Sequence, residues 1–350
     1  MRARAAPPSA GGETPLALTL GEPAGICGEI ACLAWRALNA TGPTFFAIGD
    51  PAYYESTSDD LGLGAPVKVI DSPEAAAAVF PEALPVLGDP LPVPAVPGRP
   101  DPANGAAVVA SIERAVEFAR AGRAAGLVTN PIHKSALYNS GFAYPGHTEL
   151  LAALAGPAYR PAMMLACKGL RVVPVTIHLS LADALARLDA DGIVAHGEIT
   201  AAALRHDFAI PRPRLAIAAL NPHGGEDGHM GREEIEIIAP AAERLRRAGI
   251  EVMGPAPADT LFHPAARARY DAALCMYHDQ ALIPLKTIDF AGGVNLTLGL
   301  PFVRASPDHG TALDIAGRGE ADPASLIAAL RIAREIARNR ARAAEVRAAV

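Results

Sequence analysis

The 350-residue sequence predicts an α/β protein on three grounds. Short apolar runs alternate with longer segments of helical periodicity, the pattern of strands that cross over through helices. Two of those segments, 105–120 and 233–248, carry one apolar stripe each (Val108, Ile112, Ala115, Val116 and Ala119; Ile235, Ile238, Ala242 and Leu245), the form of helices that pack on a sheet. Hydrophobic residues make up 51% of the chain, enough for a substantial core in one large or two moderate domains.

Strands are predicted at 16–20, 45–48, 67–70, 126–129, 162–166, 172–177, 215–220, 272–277, 294–298 and 302–305. The stretch 84–102 holds seven prolines, which suit neither a continuous helix nor a central strand, so it reads as a surface connection. Asp322-Pro323 opens a long C-terminal helix from Ala324 to about Val346, with a docked apolar face and a solvated arginine-rich one. Residues 1–13 read as a loose tail: two arginines precede prolines and glycines, with no apolar stretch of the kind a secretory signal needs. No break in composition separates sequential domains, so any division runs through chain crossovers.

The net charge of -6 carries no basic field for nucleic acid or anionic membrane, and no run of 18 uncharged apolar residues exists to span a bilayer. A small substrate with local handles fits better. Cys27, Cys32, Cys167 and Cys275 lack CxxC spacing and read as reduced thiols of a cytoplasmic protein, Cys32 and Cys275 within the core.

Three apolar runs end in histidine: VVPVTIH in His178, RLAIAALNPH in His223 and AALCMYH in His278, 45 and 55 residues apart. Ligands of parallel α/β sheets bind beyond the carboxyl ends of the strands. The three imidazoles therefore either share one divalent metal, leaving positions open for substrate, or cap three strand ends separately. In NPHGGEDGHMGREEIE, residues 221–236, the glycines allow a close turn. Glu226, Asp227 and Glu233 are candidates to orient imidazoles, Glu233 and Glu234 equally for first-turn helix acids, and His229 reads as surface. Lys286, Asn295 and Arg304 form a second constellation, a point charge and a fork suited to phosphate or carboxylate. His147 and Thr148 open a predicted helix, where backbone N–H groups favour an anion and where Thr148 is equally a plain N-cap. Neither GxGxxG nor GxxxxGK[ST] occurs; GEPAGICGE at 21–29 is a Gly-rich strand-to-helix turn of another kind.

Eight blocks in order, LTLGEPAGICGEI, LVTNPIHK, GHTELLA, NPHGGEDGHMGREE, APADTLF, MYHDQALIPLK, GVNLTLGLPFVR and DHGTALDIAGRG, resemble the 4-hydroxythreonine-4-phosphate dehydrogenases of pyridoxal 5'-phosphate biosynthesis over about 16–330. The block HGTALDIAGRG also resembles the adenine-side loop of the isocitrate and isopropylmalate dehydrogenase superfamily, whose members bind NAD without GxGxxG. The resemblance implies an isocitrate/isopropylmalate dehydrogenase-like α/β/α architecture with two subdomains flanking a cleft. Residues 14–133 and 285–350 would form the cofactor side, and 134–284 the metal-binding and dimerisation side. It implies His178, His223 and His278 as ligands of a divalent ion (zinc, magnesium or cobalt), His147, Thr148, Lys286, Asn295 and Arg304 as substrate contacts, and His309 and Asp314 as contacts of NAD or NADP. Lys286 and Asp259 are the candidates to take the hydroxyl proton. The implied reaction is oxidation of 4-phosphooxy-L-threonine and decarboxylation to 3-amino-2-oxopropyl phosphate, by a cytoplasmic homodimer with its active site at the interface. Glu22, Cys27-Gly28 and His133 depart from the family's usual Asp, Gly-Pro and Asn. Two alternatives stand beside it: a paralogue acting on a phosphorylated threonate or erythronate or a cis-dihydrodiol, and a zinc hydrolase without NAD.

Overall fold

The computed structural model describes residues 13–144 and 146–348; most of the predicted tail lies outside them. Among the described residues twelve strands occur in chain order: β1 (Leu16–Leu18), β2 (Phe45–Gly49), β3 (Val67–Ile70), β4 (Leu84–Gly88), β5 (Leu127–Val128), β6 (Ala162–Cys167), β7 (Leu170–Pro174), β8 (Arg214–Ala218), β9 (Glu251–Ala256), β10 (Ala272–Cys275), β11 (Val294–Leu298) and β12 (Arg304–Pro307). Contacts divide the chain into two units, residues 1–160 with 300–337 and residues 161–299 with 338–350. The predicted division placed the crossings after 133 and 284.

In the first unit every strand pair is parallel, in the order β3-β4-β2-β1-β5-β12. All five residues of β2 are buried, which is why FFAI reads as one apolar run rather than an alternation. The Gly105–Arg120 helix keeps its predicted bounds and packs Ile112, Ala115 and Val116 with Phe46, Ile48 and Leu127. The C-terminal helix, Ala324–Ala348, starts with Asp322 Oδ1 accepting the Ala324 N–H at 2.9 Å. It buries Leu326, Ala329, Leu330 and Ala333.

Strand β4 corrects the reading of 84–102, because it lies between β3 and β2 although it contains Pro85. The Leu84 N–H donates to Pro66 O on the β3 side, so the next residue faces β2, and pairing with β2 begins only at Val86. The missing N–H of Pro85 thus costs no ladder bond.

The second unit has the order β11-β6-β7-β10-β8-β9. The pairs β11/β6 and β6/β7 are antiparallel, while β7/β10, β10/β8 and β8/β9 are parallel. Its core joins Leu165, Val172, Ala216, Ala273, Cys275 and Leu285. The helix expected over 233–248 begins as a π turn, Glu234–Ile238, before Ala239–Arg247. The wider turn shifts the phase, leaving Ile235 46% exposed while Ile238, Ala242 and Leu245 stay buried.

Arg340, near the end of the chain, grips the buried Asp207 with Nε at 2.6 Å and Nη2 at 2.8 Å. Arg340→Ala strands a desolvated carboxylate and is expected to cost about 3 kcal/mol in urea unfolding. Adding Asp207→Asn should recover part of that loss, and a double variant less stable than the single one would contradict it.

Candidate functional site

In the second unit the neighbouring parallel strands β7, β10, β8 and β9 present their carboxyl ends along one edge. Beyond β7 and β10 the chains stay paired: the Val175 N–H donates to Cys275 O at 2.8 Å, and Thr176 Oγ1 to Met276 O at 2.7 Å. That pairing brings the rings of His178 and His278 to 6.0 Å between centroids, with 41° between their planes. The buried Gln280 braces the edge, accepting the Met276 N–H at 2.6 Å and donating to Ala219 O, just past β8, at 2.6 Å. His278 Nδ1 lies 2.7 Å from Asp279 Oδ1, a carboxylate that fixes the ring. A cavity of about 200 Å³ opens between the two rings, lined also by Thr176, Tyr277, Leu181 and Ala184. Two imidazoles sharing a metal about 2.0–2.1 Å from each nitrogen hold their rings at a comparable spacing, so this pair fits a divalent ion.

His223 leaves the same edge after β8 but stands exposed in the turn Pro222–Gly228. Among the described residues no three His, Cys, Asp or Glu side chains converge on a metal position. The structure therefore brings two of the three predicted ligands together within one copy, not three. Residues 223–227 all have positive φ, four of them between 52° and 82° and Glu226 at 42°, and His178 sits at 53°.

Glu234 holds that turn. Its carboxylate is buried and accepts the N–H groups of Leu220 (2.7 Å) and Asn221 (2.8 Å) and the Asn221 side-chain amide (2.9 Å). Glu233 accepts from the same amide at 2.7 Å. Both acids serve the loop, not an imidazole, and Glu226 and Asp227 are exposed in the turn itself. His229 is exposed as expected, and Asp259 lies exposed in the Ala258–Thr260 turn that follows β9. Lys286 follows His278 and Leu282 along the His278–Ile288 helix, sharing a groove with them, its Nζ 5.2 Å above the Phe290 ring. Asn295 stands on β11 opposite Leu165.

In the first unit Arg304 on β12 is 5% exposed and donates from Nε and Nη2 to Thr129 Oγ1 at 3.1 and 2.7 Å. Burial lowers its pKa to about 10, which still leaves it charged near neutral pH. The helix His147–Ala155 follows Gly146 and has no side-chain cap, so Thr148 is not the N-cap. Burial, and then the charges of Arg304 and Lys134, lower the His147 pKa to about 3. The ring is therefore neutral, and its Nε2 is sealed from solvent without a partner.

The predicted cofactor loop is anchored at both ends: the Asp308 N–H donates to Ser325 Oγ at 3.0 Å, and the Gly317 N–H to Glu29 Oε1 at 2.6 Å. Thr311 O accepts the Ile26 N–H at 3.1 Å, which ties the loop to the Gly-rich turn at 21–29. His309 keeps a sealed, unpartnered Nε2, and Asp314 is exposed, polar handles that fit a dinucleotide. Glu29 and Gln280 were not singled out by the sequence, since each looks like an ordinary helix residue, and Glu234 was read as a first-turn helix acid rather than as the acceptor for the turn at 220–221. Of the departures, Glu22 is buried with a pKa raised mainly by that burial, and Oε1 folds back to accept the Ala24 N–H at 3.0 Å. The Cys27 thiol, 3.5 Å from Pro131 O, is pushed up by burial and stays protonated.

Residues 42–333 match the family described as pyridoxal phosphate biosynthetic protein PdxA. The chain belongs to that family. It is 56% identical over 331 residues to the 4-hydroxythreonine-4-phosphate dehydrogenase of Caulobacter vibrioides, covering 93% of this chain and 98% of that one. The crystal structure of the Klebsiella pneumoniae 4-hydroxythreonine-4-phosphate dehydrogenase superposes with a TM-score of 0.81 at 38% identity, over 93% of this chain and 100% of the other. A terephthalate 1,2-cis-dihydrodiol dehydrogenase from Burkholderia xenovorans is more distant, with a TM-score of 0.62 at 32% identity over 91% and 97%. These full-length similarities agree with the predicted α/β class.

Glu234→Ala leaves the backbone N–H groups of Leu220 and Asn221 without their acceptor, while the Asn221 amide keeps Glu233. It is expected to cost about 3 kcal/mol in urea unfolding and to speed proteolysis within 221–231. Cleavage at the wild-type rate would show that the turn does not depend on this carboxylate.

Proposed function

We propose that this PdxA family member is a 4-hydroxythreonine-4-phosphate dehydrogenase: it oxidises the secondary hydroxyl of 4-phosphooxy-L-threonine and releases carbon dioxide from the resulting β-keto acid, giving 3-amino-2-oxopropyl phosphate for pyridoxal 5'-phosphate biosynthesis. The observation that carries the reading is the 56% identity, over 93% of the chain, to a relative of that name. The partly buried cationic group of Arg304, Lys134 and the uncapped His147–Ala155 helix favours a phosphorylated substrate over the neutral ring of a dihydrodiol.

The cofactor is of the NAD type, with His309 and Asp314 as its contacts, and the metal ligands are His178, His223 and His278. When bound, these groups supply a hydride acceptor and a Lewis acid that polarises first the hydroxyl and then the ketone. Arg304, His147 and Thr148 hold anionic groups of the substrate, Lys286 and Asn295 contact it, and Lys286 or Asp259 takes the hydroxyl proton. The working form is a cytoplasmic homodimer, a setting that suits four unpaired cysteines. Two observations support the dimer. Leu181, Ile283 and Phe290, on the unit that carries the histidines, are 69%, 64% and 78% exposed. Among the described residues of one copy only the His178 and His278 rings come together, so His223 would complete the site across the interface.

NAD reduction with 4-phosphooxy-threonine, 4-phospho-threonate and 4-phospho-erythronate, before and after metal removal and readdition, is the direct test. Activity should be greatest with the first, vanish on chelation and return with a divalent ion; preference for a threonate or erythronate would move the enzyme to that paralogous substrate. Mixing His223→Ala with His278→Ala copies should restore about a quarter of the wild-type sites, because random pairing makes half heterodimers with one intact site each. No recovery in exchanged mixtures would place all three ligands within one copy.

A further inference from the structure

Lys134 closes the block LVTNPIHK. It is the first residue of the helix Lys134–Asn139, the end at which a cation is disfavoured by the helix dipole. A methyl group placed on Gly146 would lie 3.9 Å from its Nζ and 3.4 Å from Glu149 Oε2, so its ammonium borders the glycine that precedes the His147–Ala155 helix. That helix begins without a side-chain cap, leaving its first backbone N–H groups without a side-chain acceptor.

Around the same helix start, the His147 Nε2 is sealed without a partner, and the ring feels the positive charges of both Arg304 and Lys134. Arg304 is bound to Thr129, five residues before Lys134 in the same block. An exposed ammonium, an uncapped helix start and an unpaired imidazole nitrogen are donors that one anion would serve together, with the nearby Arg304 adding positive charge; the Glu149 carboxylate offers one charge at the rim. A phosphate ester brings nearly two charges and three acceptor oxygens, enough to engage several of these donors together. Lys134 is itself exposed, where an entering ligand can reach it.

We propose that Lys134 is a ligand of the substrate's phosphate and a specificity-determining residue of the reaction, working with the start of the His147–Ala155 helix and Arg304. The proposal rests on the dehydrogenase reading above. Lysine suits the place because a flexible point charge with three donors can follow the phosphate as it enters.

The test uses the dimeric, metal-loaded enzyme with Lys134→Ala and Lys134→Arg. For Lys134→Ala, the KM for 4-phosphooxy-threonine should rise about ten- to a hundredfold, the scale of one lost charge-assisted hydrogen bond. Its kcat/KM for 4-hydroxythreonine should fall by at least about tenfold less. Calorimetric binding of inorganic phosphate should weaken in parallel, and Lys134→Arg should restore most of both. Unchanged KM, or equal losses on the two substrates, would overturn the proposal. If the wild type reduces no NAD with the phosphorylated substrate, the dehydrogenase reading fails instead. Phosphate calorimetry then still decides: equal affinity in wild type and Lys134→Ala overturns the role of Lys134, and weaker binding in the variant upholds it. An unchanged melting temperature in Lys134→Ala would separate lost binding from lost fold.

Discussion

Strands β7, β10 and β8 run parallel with nearly every residue sealed, so a polar side chain carried along them would need a buried partner or lose about 1–3 kcal/mol. Polar chemistry is thereby displaced to the points where the backbone leaves the sheet. Parallel pairing puts those exits on one edge, and each of the three strands sends a histidine there within five residues of its last ladder position, which for β8 is Ala218 against β9. The same restriction explains Gln280: the backbone at Met276 and Ala219 has left the sheet and still needs partners, and one buried amide serves both.

Delivering a side chain at a strand end requires a sharp turn, and the turn is not free. His178 and His223 adopt left-handed backbone at φ 53° and 52°, a conformation that costs a non-glycine residue about 1–3 kcal/mol. Such strain persists only where the surroundings leave the chain no easier path. At His223 the constraint is the Glu234 carboxylate, bonded to both residues that precede the turn; at His178 it is the Thr176 bond to Met276. The groups that enforce the geometry are therefore separate from the groups presented, and both belong to the cost of the site.

This division also explains what the sequence disclosed. A histidine closing an apolar run is visible because it interrupts a pattern, so His178, His223 and His278 were legible together with the strands that carry them. Spacing tells which strand ends in a histidine but not how its loop turns, which is why the meeting of only the His178 and His278 rings among the described residues had to be seen. Glu29 and Gln280 were invisible because a helical acid or amide acting on a loop far along the chain has the same local sequence as a solvated one, and Glu234 was visible only as a helix-start acid, since nothing local shows that it turns back onto residues 220–221. Strand β4 was hidden for the opposite reason: a proline usually excludes a central position, and only the register shows that the Pro85 nitrogen faces a gap in the pairing. The π turn at 234–238 likewise moved Ile235 off a stripe that a strict helical period would have kept.

Charge follows the same logic of local placement. A chain with net charge -6 has no long-range field to draw in an anion, and screening in physiological salt limits any field to about 8 Å. Attraction must come from cations held at contact, some of them buried, and burial acts against a cation's charged form. At Arg304 it brings the guanidinium down to about 10, and there it remains charged. A lysine starts lower and, under the same burial, would titrate nearer neutral pH, holding its charge less securely than an arginine. The sealed place therefore calls for arginine. The exposed place at 134 imposes no such penalty, and there the flexible ammonium is the better instrument.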